Sequence, residues 1–280
     1  MAKITLTDEE KDTLANEWEM GISPKLLATK YNMCKDSVYK IARDRGKNRE
    51  KITCRKYTFN YDFFNEIKTE RQAYWLGFIT ADGFIKQNSV VLKLSGKDKT
   101  HLLKLQYDIE DNSHIIQGIE KEIYPFARLC LTHKNIVNDL YGLNVAKQKT
   151  SNEKFPFQIP GELYRHYIRG YFDGDGTLYI ITNKKSKNES IVFSICCANL
   201  EFLSDIQNIL IKECHISKNQ IYNKDKKGLY ILQYGGNKQC SRICNYLWED
   251  TNIYLPRKII PIVNSNLLKE PIAFNTCLEY

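Results

Sequence analysis

Apolar residues in the first 46 positions recur at helical spacing in three short runs. Thr7-Asp8-Glu9-Glu10 reads as a capping box, with a hydroxyl placed to cap the amide three residues on and a carboxylate placed to reach back. Behind it Leu14, Trp18 and Ile22 fall on one face, which predicts a helix ending near Gly21. Ser23-Pro24 restarts the chain, Ser as cap and Pro at the first helical position, and Leu26, Leu27, Ala28 and Tyr31 give the second helix its apolar side. After a turn at Asn32-Met33-Cys34 comes a third helix, with Val38 and Ile41 inward and Lys35, Ser37, Lys40 and Arg43 outward. Cys34 stands where a Ser or Thr cap is usual, which weakens the cap but not the architecture.

Residues 47–68 follow no clean period and run from basic to aromatic, so they read as a linker whose aromatic end docks on the domain that follows. Beyond them the period of two appears. Val90, Leu92 and Leu94 alternate with Lys93 and Ser95, and Ile191, Phe193 and Ile195 alternate with Ser190, Val192 and Ser194. Antiparallel sheets with one face on helices and the other polar and wet are predicted.

The chain from residue 69 also repeats itself. Residues 73–83, AYWLGFITADG, align with 166–176, HYIRGYFDGDG, at an offset of 93, with Tyr74/Tyr167, Gly77/Gly170, Asp82/Asp175 and Gly83/Gly176 identical. Each copy is a helix followed by two strands, a helix, two strands and a helix. The fold class is therefore α+β: a pseudo-two-fold pair of αββαββα halves, preceded by a small all-α helix-turn-helix domain. The expected division is the helix-turn-helix at 1–46, the linker at 47–68, a first half at 69–150 and a second half with a C-terminal tail at 151–280.

Charge sharpens the reading of the first 56 residues. Positions 1–29 carry three Lys/Arg against six Asp/Glu, whereas 30–56 carry ten against three. A local block of +7 suits phosphate neutralisation, and a basic third helix after a tight turn is the element that enters a major groove. The pattern resembles the small DNA-binding domains of resolvases and invertases. A helical protein-binding adaptor is the plainer alternative. The nine scattered cysteines read as reduced thiols of an intracellular chain. Cys240 and Cys244 are four apart, with no further Cys or His to complete a zinc set. No apolar run approaches the roughly 20 residues of a membrane span, and the opening MAKITLTDEEKD lacks the apolar block of a secretory signal.

The repeated helices carry the chemistry. Gly77 and Ala81 are four apart, as are Gly170 and Gly174. Glycine inside a helix costs about 0.5–1 kcal/mol relative to alanine, and a small-residue stripe recovers this when two backbones pack in contact. Gly83 and Gly176 are expected to stop the helices in a left-handed conformation. Asp82 and Asp175 then face the negative ends of their own macrodipoles and, with the helices packed in parallel, each other. Two adjacent carboxylates call for a proton or a cation, and a hard divalent ion, Mg²⁺ first, suits oxygen donors.

At these residues the chain resembles the LAGLIDADG homing endonucleases in their single-chain, two-motif form. Residues 75–83, WLGFITADG, and 168–176, IRGYFDGDG, match the nine-residue motif, and the resemblance spans about 71–262. It implies saddle-shaped sheets laid along double-stranded DNA at a long asymmetric site, with both strands cut across the minor groove. It implies Asp82 and Asp175 as metal ligands, joined by main-chain carbonyls at Ala81 and Gly174, with Mg²⁺ as cofactor and Mn²⁺ as substitute. It further implies a lysine per half near the scissile phosphates, matched here by Lys149 and Lys258, and sheet-face DNA contacts such as Lys93 and Arg128. The motif's earlier acid is Asp173 in the second copy but Thr80 in the first, a supporting position in this reading. A monomer acting inside the cell, in cytoplasm, nucleoid or organelle matrix, is expected, with intron homing as its setting. The alternative on the same scaffold is a non-cutting binder, an RNA-splicing maturase or a transcription regulator.

Overall fold

The computed structural model describes residues 6–20, 22–47, 57–145, 152–224 and 228–274, and divides into two compact units, 1–56 and 57–280. In the first unit Thr7 and Glu10 form the reciprocal capping box of α1 (Asp8–Glu19), and Ser23 caps α2 (Pro24–Lys30) with Pro24 in its first turn. Helix α3 (Lys35–Asp44) starts at Cys34, whose side chain caps no amide and instead meets the Ser37 hydroxyl at 3.2 Å. Leu14, Leu27, Ala28 and Val38 form the core with Leu6, and Trp18, Tyr31, Met33 and Ile41 pack around it. Two expected core positions differ. Ile22 is 39% exposed because α1 ends at Glu19, before a further turn could bring Ile22 round to the inner face. Leu26 is 65% exposed because the seven-residue α2 buries only the face that carries Leu27 and Ala28.

In the second unit residues 57–67 are tied down. Asn60 N–H donates to Ile109 O at 2.7 Å, Thr58 and Asn112 bond reciprocally, and Phe63, Phe64 and Ile67 are buried in the main core. Two halves follow. The first is α4 (Glu70–Asp82), β1 (Gly83–Lys86), β2 (Ser89–Ser95), α5 (Lys99–Asp108), β3 (Ile116–Glu120), β4 (Tyr124–Thr132) and α6 (Lys134–Gly142). The second is α7 (Tyr164–Asp175), β5 (Gly176–Thr182), β6 (Glu189–Cys197), α8 (Leu200–Cys214), β7 (Tyr222–Asn223), β8 (Tyr230–Gly235) and α9 (Asn237–Trp248), followed by α10 (Pro256–Val263), the last helix among the described residues. The sheets share one antiparallel order, β1-β2-β4-β3 and β5-β6-β8-β7. The α+β architecture of two αββαββα halves is thus present.

Alternation sets the faces. Val90, Leu92 and Leu94 are buried while Lys93 and Ser95 are exposed, and Ile191, Phe193 and Ile195 are buried in the second sheet. The outer faces are less polar than the pattern predicts. Val192, expected on the wet side, is only 2% exposed, because on central strand β6 it lies between Tyr179 and Gly235. Phe84, Ile116 and Ile181 stand exposed on the strands.

Candidate functional site

Thr69 opens α4 with a second capping box, its hydroxyl accepting from Gln72 N–H, and the helix then runs through nine consecutive buried residues, 73–81. Such a helix, apolar on all sides, has to lie at the centre of a core. Its partner is α7, and the approach is backbone to backbone. A Cβ built on Gly77 would lie 2.0 Å from Tyr167 O, and one on Gly170 would lie 1.9 Å from Tyr74 O. The offset of 93 relates these two contacts, so the glycines are equivalent across the pseudo-two-fold. A Cβ on Gly174 would meet Ala81 Cβ at 2.4 Å and lie 3.4 Å from Asp82 Oδ2. The carboxylate ending α4 therefore lies against the residue that precedes the carboxylate ending α7.

The glycines after the two aspartates act differently from expectation. Gly83 (φ −71°) and Gly176 (φ −91°) are extended, not left-handed. They are the first residues of β1 and β5, and what they lack room for is a side chain: a Cβ would lie 2.5 Å from Ile79 O in one copy and 2.1 Å from the Phe172 ring in the other. Each motif thus turns a helix directly into a strand, fixing both aspartates at the junction, Asp82 half-buried and Asp175 exposed.

Lys258 joins them. It lies in the first turn of α10, a helix the sequence pattern did not anticipate, with Pro256 opening it and Ile259 anchoring it in the core. Its ammonium donates to Gly176 O and sits 5.9 Å from the centre of the Phe172 ring. Burial, then Arg257, push its pKa below the ordinary lysine range, while Asp173, Asp82 and Asp175 pull it back up. Asp82, Asp175 and Lys258 thus come together. Lys149 lies outside the described residues.

Among the described residues no three His, Cys, Asp or Glu side chains converge as a metal cage. Two carboxylates at adjoining helix ends, with the Ala81 and Gly174 peptide carbonyls beside them, are all hard oxygen donors. That set fits Mg²⁺, which keeps several waters and takes its remaining ligands from a bound phosphate.

Asp173 and its surroundings carry most of the buried polar chemistry. Asp173 is buried and accepts from the Tyr74 hydroxyl and from Leu255 N–H, both at 2.7 Å, through one oxygen. Burial raises its pKa to about 6, against the pull of those two hydrogen bonds, Arg169 and Lys258. Tyr74 also meets His101 Nε2 at 2.8 Å, and burial lowers His101 to about 3. Arg169, fully buried on α7, donates to Leu247 O at 2.7 Å, Ile253 O at 2.9 Å and Glu70 at 2.8 Å. The only advance sign of this network was a charged residue at 169 and at 173 inside an otherwise apolar and small-residue helix.

The remaining predicted contacts lie elsewhere. Lys93 and Arg128 are register partners on the exposed face of the first sheet, where Lys93 pairs with Glu120 at 2.7 Å and lies 4.6 Å from the Phe126 ring centre. In the first unit Lys35, Lys40 and Arg43 are exposed on α3, and Ser37 is half-buried against Cys34. Much of the basic block there is already matched: Lys30 pairs with Glu17, Arg45 with Asp8 and Asp12, and Lys47 with Glu19.

Among solved structures the chain is similar to the I-LtrWI LAGLIDADG homing endonuclease bound to target DNA, at 12% identity over 75% of this chain and 86% of that one, TM-score 0.43. It is similar to I-SmaMI bound to cleaved DNA, at 11% identity over 71% and 88%, TM-score 0.45. I-SmaMI bound to uncleaved target in the presence of calcium ions gives 12% over 72% and 95%, TM-score 0.45. No curated protein matches the chain in sequence. The family model described as the LAGLIDADG-like domain matches residues 162–247, a span that takes in α7, the second sheet, α8 and nearly all of α9. Residues 162–247, built on α7 and its terminal Asp175, are thus similar to the LAGLIDADG-like domain.

Proposed function

We propose that the chain is a site-specific double-strand DNA endonuclease of the homing type, with Asp82 and Asp175 each holding a divalent ion, Mg²⁺ first and Mn²⁺ as substitute. The observation that carries this reading is the pair of motif helices in backbone contact, each ending in an aspartate at the start of a four-stranded sheet, with the Asp82 carboxylate lying against Gly174, the residue before Asp175. An ion bound there supplies Lewis-acid stabilisation of the phosphate and an acidified water. The chain's own part is positional. The helix-to-strand junctions fix the two carboxylates, and the sheets spread exposed Lys93, Arg128 and apolar side chains over which a duplex can lie. Lys258, held by Gly176 O, places a positive charge where negative charge grows on the attacked phosphate. Lys149 takes the equivalent role in the first half, and α3 of the first unit, with Lys35, Ser37, Lys40 and Arg43, adds contacts on one flank of the site. The protein acts as a monomer inside the cell, its two halves doing the work of two subunits, and intron homing is its setting.

Intact carboxylates in both motif copies favour cutting over the RNA-binding or regulatory alternative. The test is incubation with Mg²⁺ and a randomised duplex library, followed by sequencing of the new ends. Recurrent paired ends with short 3′ overhangs at one long sequence are expected. Selection of bound but uncut DNA, or of RNA alone, under the same conditions refutes the nuclease reading.

A further inference from the structure

Between α9 and α10 the chain crosses from one half to the other through residues 249–255, and it is tied to both. On the first half, Glu70 accepts from the Thr251 hydroxyl at 2.5 Å and from Asn252 N–H at 3.3 Å, and Arg71 donates to the Asn252 side chain at 3.1 Å. On the second, Arg169 holds Ile253 O and Asp173 holds Leu255 N–H. Thr251, Ile253 and Leu255 are buried. Directly beyond, Arg257 returns to the first half and grips both oxygens of buried Asp98 at 3.0–3.1 Å. Lys258 is the next residue.

The two copies of the motif differ at the position that matters here. Tyr74 donates across the interface to Asp173, the sixth motif residue of α7, at 2.7 Å, whereas Tyr167 lies near the sixth motif residue of α4, Thr80, whose hydroxyl donates to Leu76 O within its own helix. At 173 the side-chain oxygen has a second donor to accept, the Leu255 N–H, one residue before α10 begins.

We propose that Asp173 is a positioning residue that acts through Lys258: by fixing the start of α10 it keeps the Lys258 ammonium on Gly176 O, beside the second motif's end, and so serves one of the two strand cleavages. The inference rests on the nuclease reading for its catalytic consequence but not for its geometry. Asp173→Asn keeps an oxygen for both donors, whereas Asp173→Leu removes it. Arg257→Leu loosens the same segment from its exposed side without touching the helix interface.

Two measurements test this on the full chain. Competitive acylation of lysines read by mass spectrometry should show Lys258 labelled at least about fivefold faster in Asp173→Leu and Arg257→Leu, because local opening exposes it. Asp173→Asn should stay within about twofold of the parent and Lys93 should be unchanged in all variants, which separates local release from unfolding. On a mapped target, Asp173→Leu should slow one strand at least about tenfold and accumulate a nicked product, while Asp173→Asn restores paired cutting. Unchanged Lys258 labelling, equal slowing of both strands, or an Asn variant no better than Leu overturns the proposal. A chain that cuts no DNA refutes the nuclease reading instead, and the labelling still decides whether Asp173 positions Lys258.

Discussion

Helices α4 and α7 are copies of one design that have kept the same backbone contact and diverged in polarity. Gly77 and Gly170 make reciprocal contacts that differ by only 0.1 Å, and both helices pass straight into a strand. Yet α4 carries Leu76 and Thr80 where α7 carries Arg169 and Asp173. In the same way buried His101, packed on Tyr74 and Phe78, is replaced in the second half by Phe202, packed on Tyr171. The difference teaches that symmetry is enforced where main chains touch, since no substitution of Gly77 or Gly170 is small enough. It is relaxed one turn away, where only the second copy has a returning segment to hold.

The comparison is broken most severely at what the helices still share. Asp82→Asn and Asp175→Asn should each cut double-strand cleavage by about 1,000-fold or more, a loss near 4 kcal/mol, while DNA binding persists. Parallel gel-shift and cleavage assays, with and without excess EDTA, check this, and normal cutting by either variant removes the mechanism.

Next come the glycines. Gly77→Ala and Gly170→Ala each gain about 1 kcal/mol of helix propensity but drive a methyl into a carbonyl, so each should cost roughly 3 kcal/mol net or more. Urea unfolding should find the two losses alike within about 1 kcal/mol, since mutations in equivalent surroundings have equivalent cost. A harmless alanine at one position only means that the contact is not shared.

Lys258→Met sharpens the asymmetry. It should slow cutting at least about tenfold, a lost charge contact of 1.4 kcal/mol, with the effect concentrated on one strand. Lys149→Met should do the same for the other. A change in binding constant alone makes both ordinary phosphate contacts.

His101→Phe makes the first half resemble the second. His101 stays neutral in the fold down to about 3, whereas an unfolded His takes its proton near 6.5. Stability is therefore lost as pH falls below 6.5, by up to about 1.4 kcal/mol per pH unit for this one group. The phenylalanine variant should show a shallower fall of unfolding free energy between pH 6.5 and 4. His166, also lowered to about 3, still contributes its share. Asp173 works in the opposite sense, taking up its proton near 6 in the fold and near 3.8 unfolded. An unchanged slope means that His101 is not held neutral.

The smallest effect on cutting belongs to the first unit. With Lys30, Arg45 and Lys47 engaged by acids of α1, replacing Lys35, Lys40 and Arg43 together by Gln should flatten the log–log salt dependence of DNA binding by roughly two to three units. It should also remove protection on one flank of the footprint. No change in either favours the protein-binding adaptor.

The strand and helix order of both halves could be read from the chain because alternation and the 93-residue repeat are local signals. The paired aspartates were legible for the same reason. What escaped were features made by distant segments. Helix α10 is short and opens with proline, and its reason to form is the core position of Ile259. The roles of Arg169 and Asp173 depend on backbone groups about 80 residues later, which no motif spacing reports. The expected left-handed Gly83 and Gly176 failed because a helix that continues as a strand needs no reversing residue, only space beside Ile79 and Phe172. Alternation places Val192 on the wet face, because it tells side from side but not how crowded a side is.

Because Tyr74 bonds to Asp173 while Tyr167 lies near a threonine at the matching position, the halves are not interchangeable parts. A dimer assembled from two first halves would pair each Tyr74 with a threonine and leave no anchor for a returning tail. One assembled from two second halves would bury two carboxylates and two guanidinium groups, with no Glu70 to neutralise the latter. The single chain therefore carries its own pairing code at the seam. Any recombination of either half with a foreign partner has to bring along residues 80 and 173 as a matched set, together with the segment that 173 restrains.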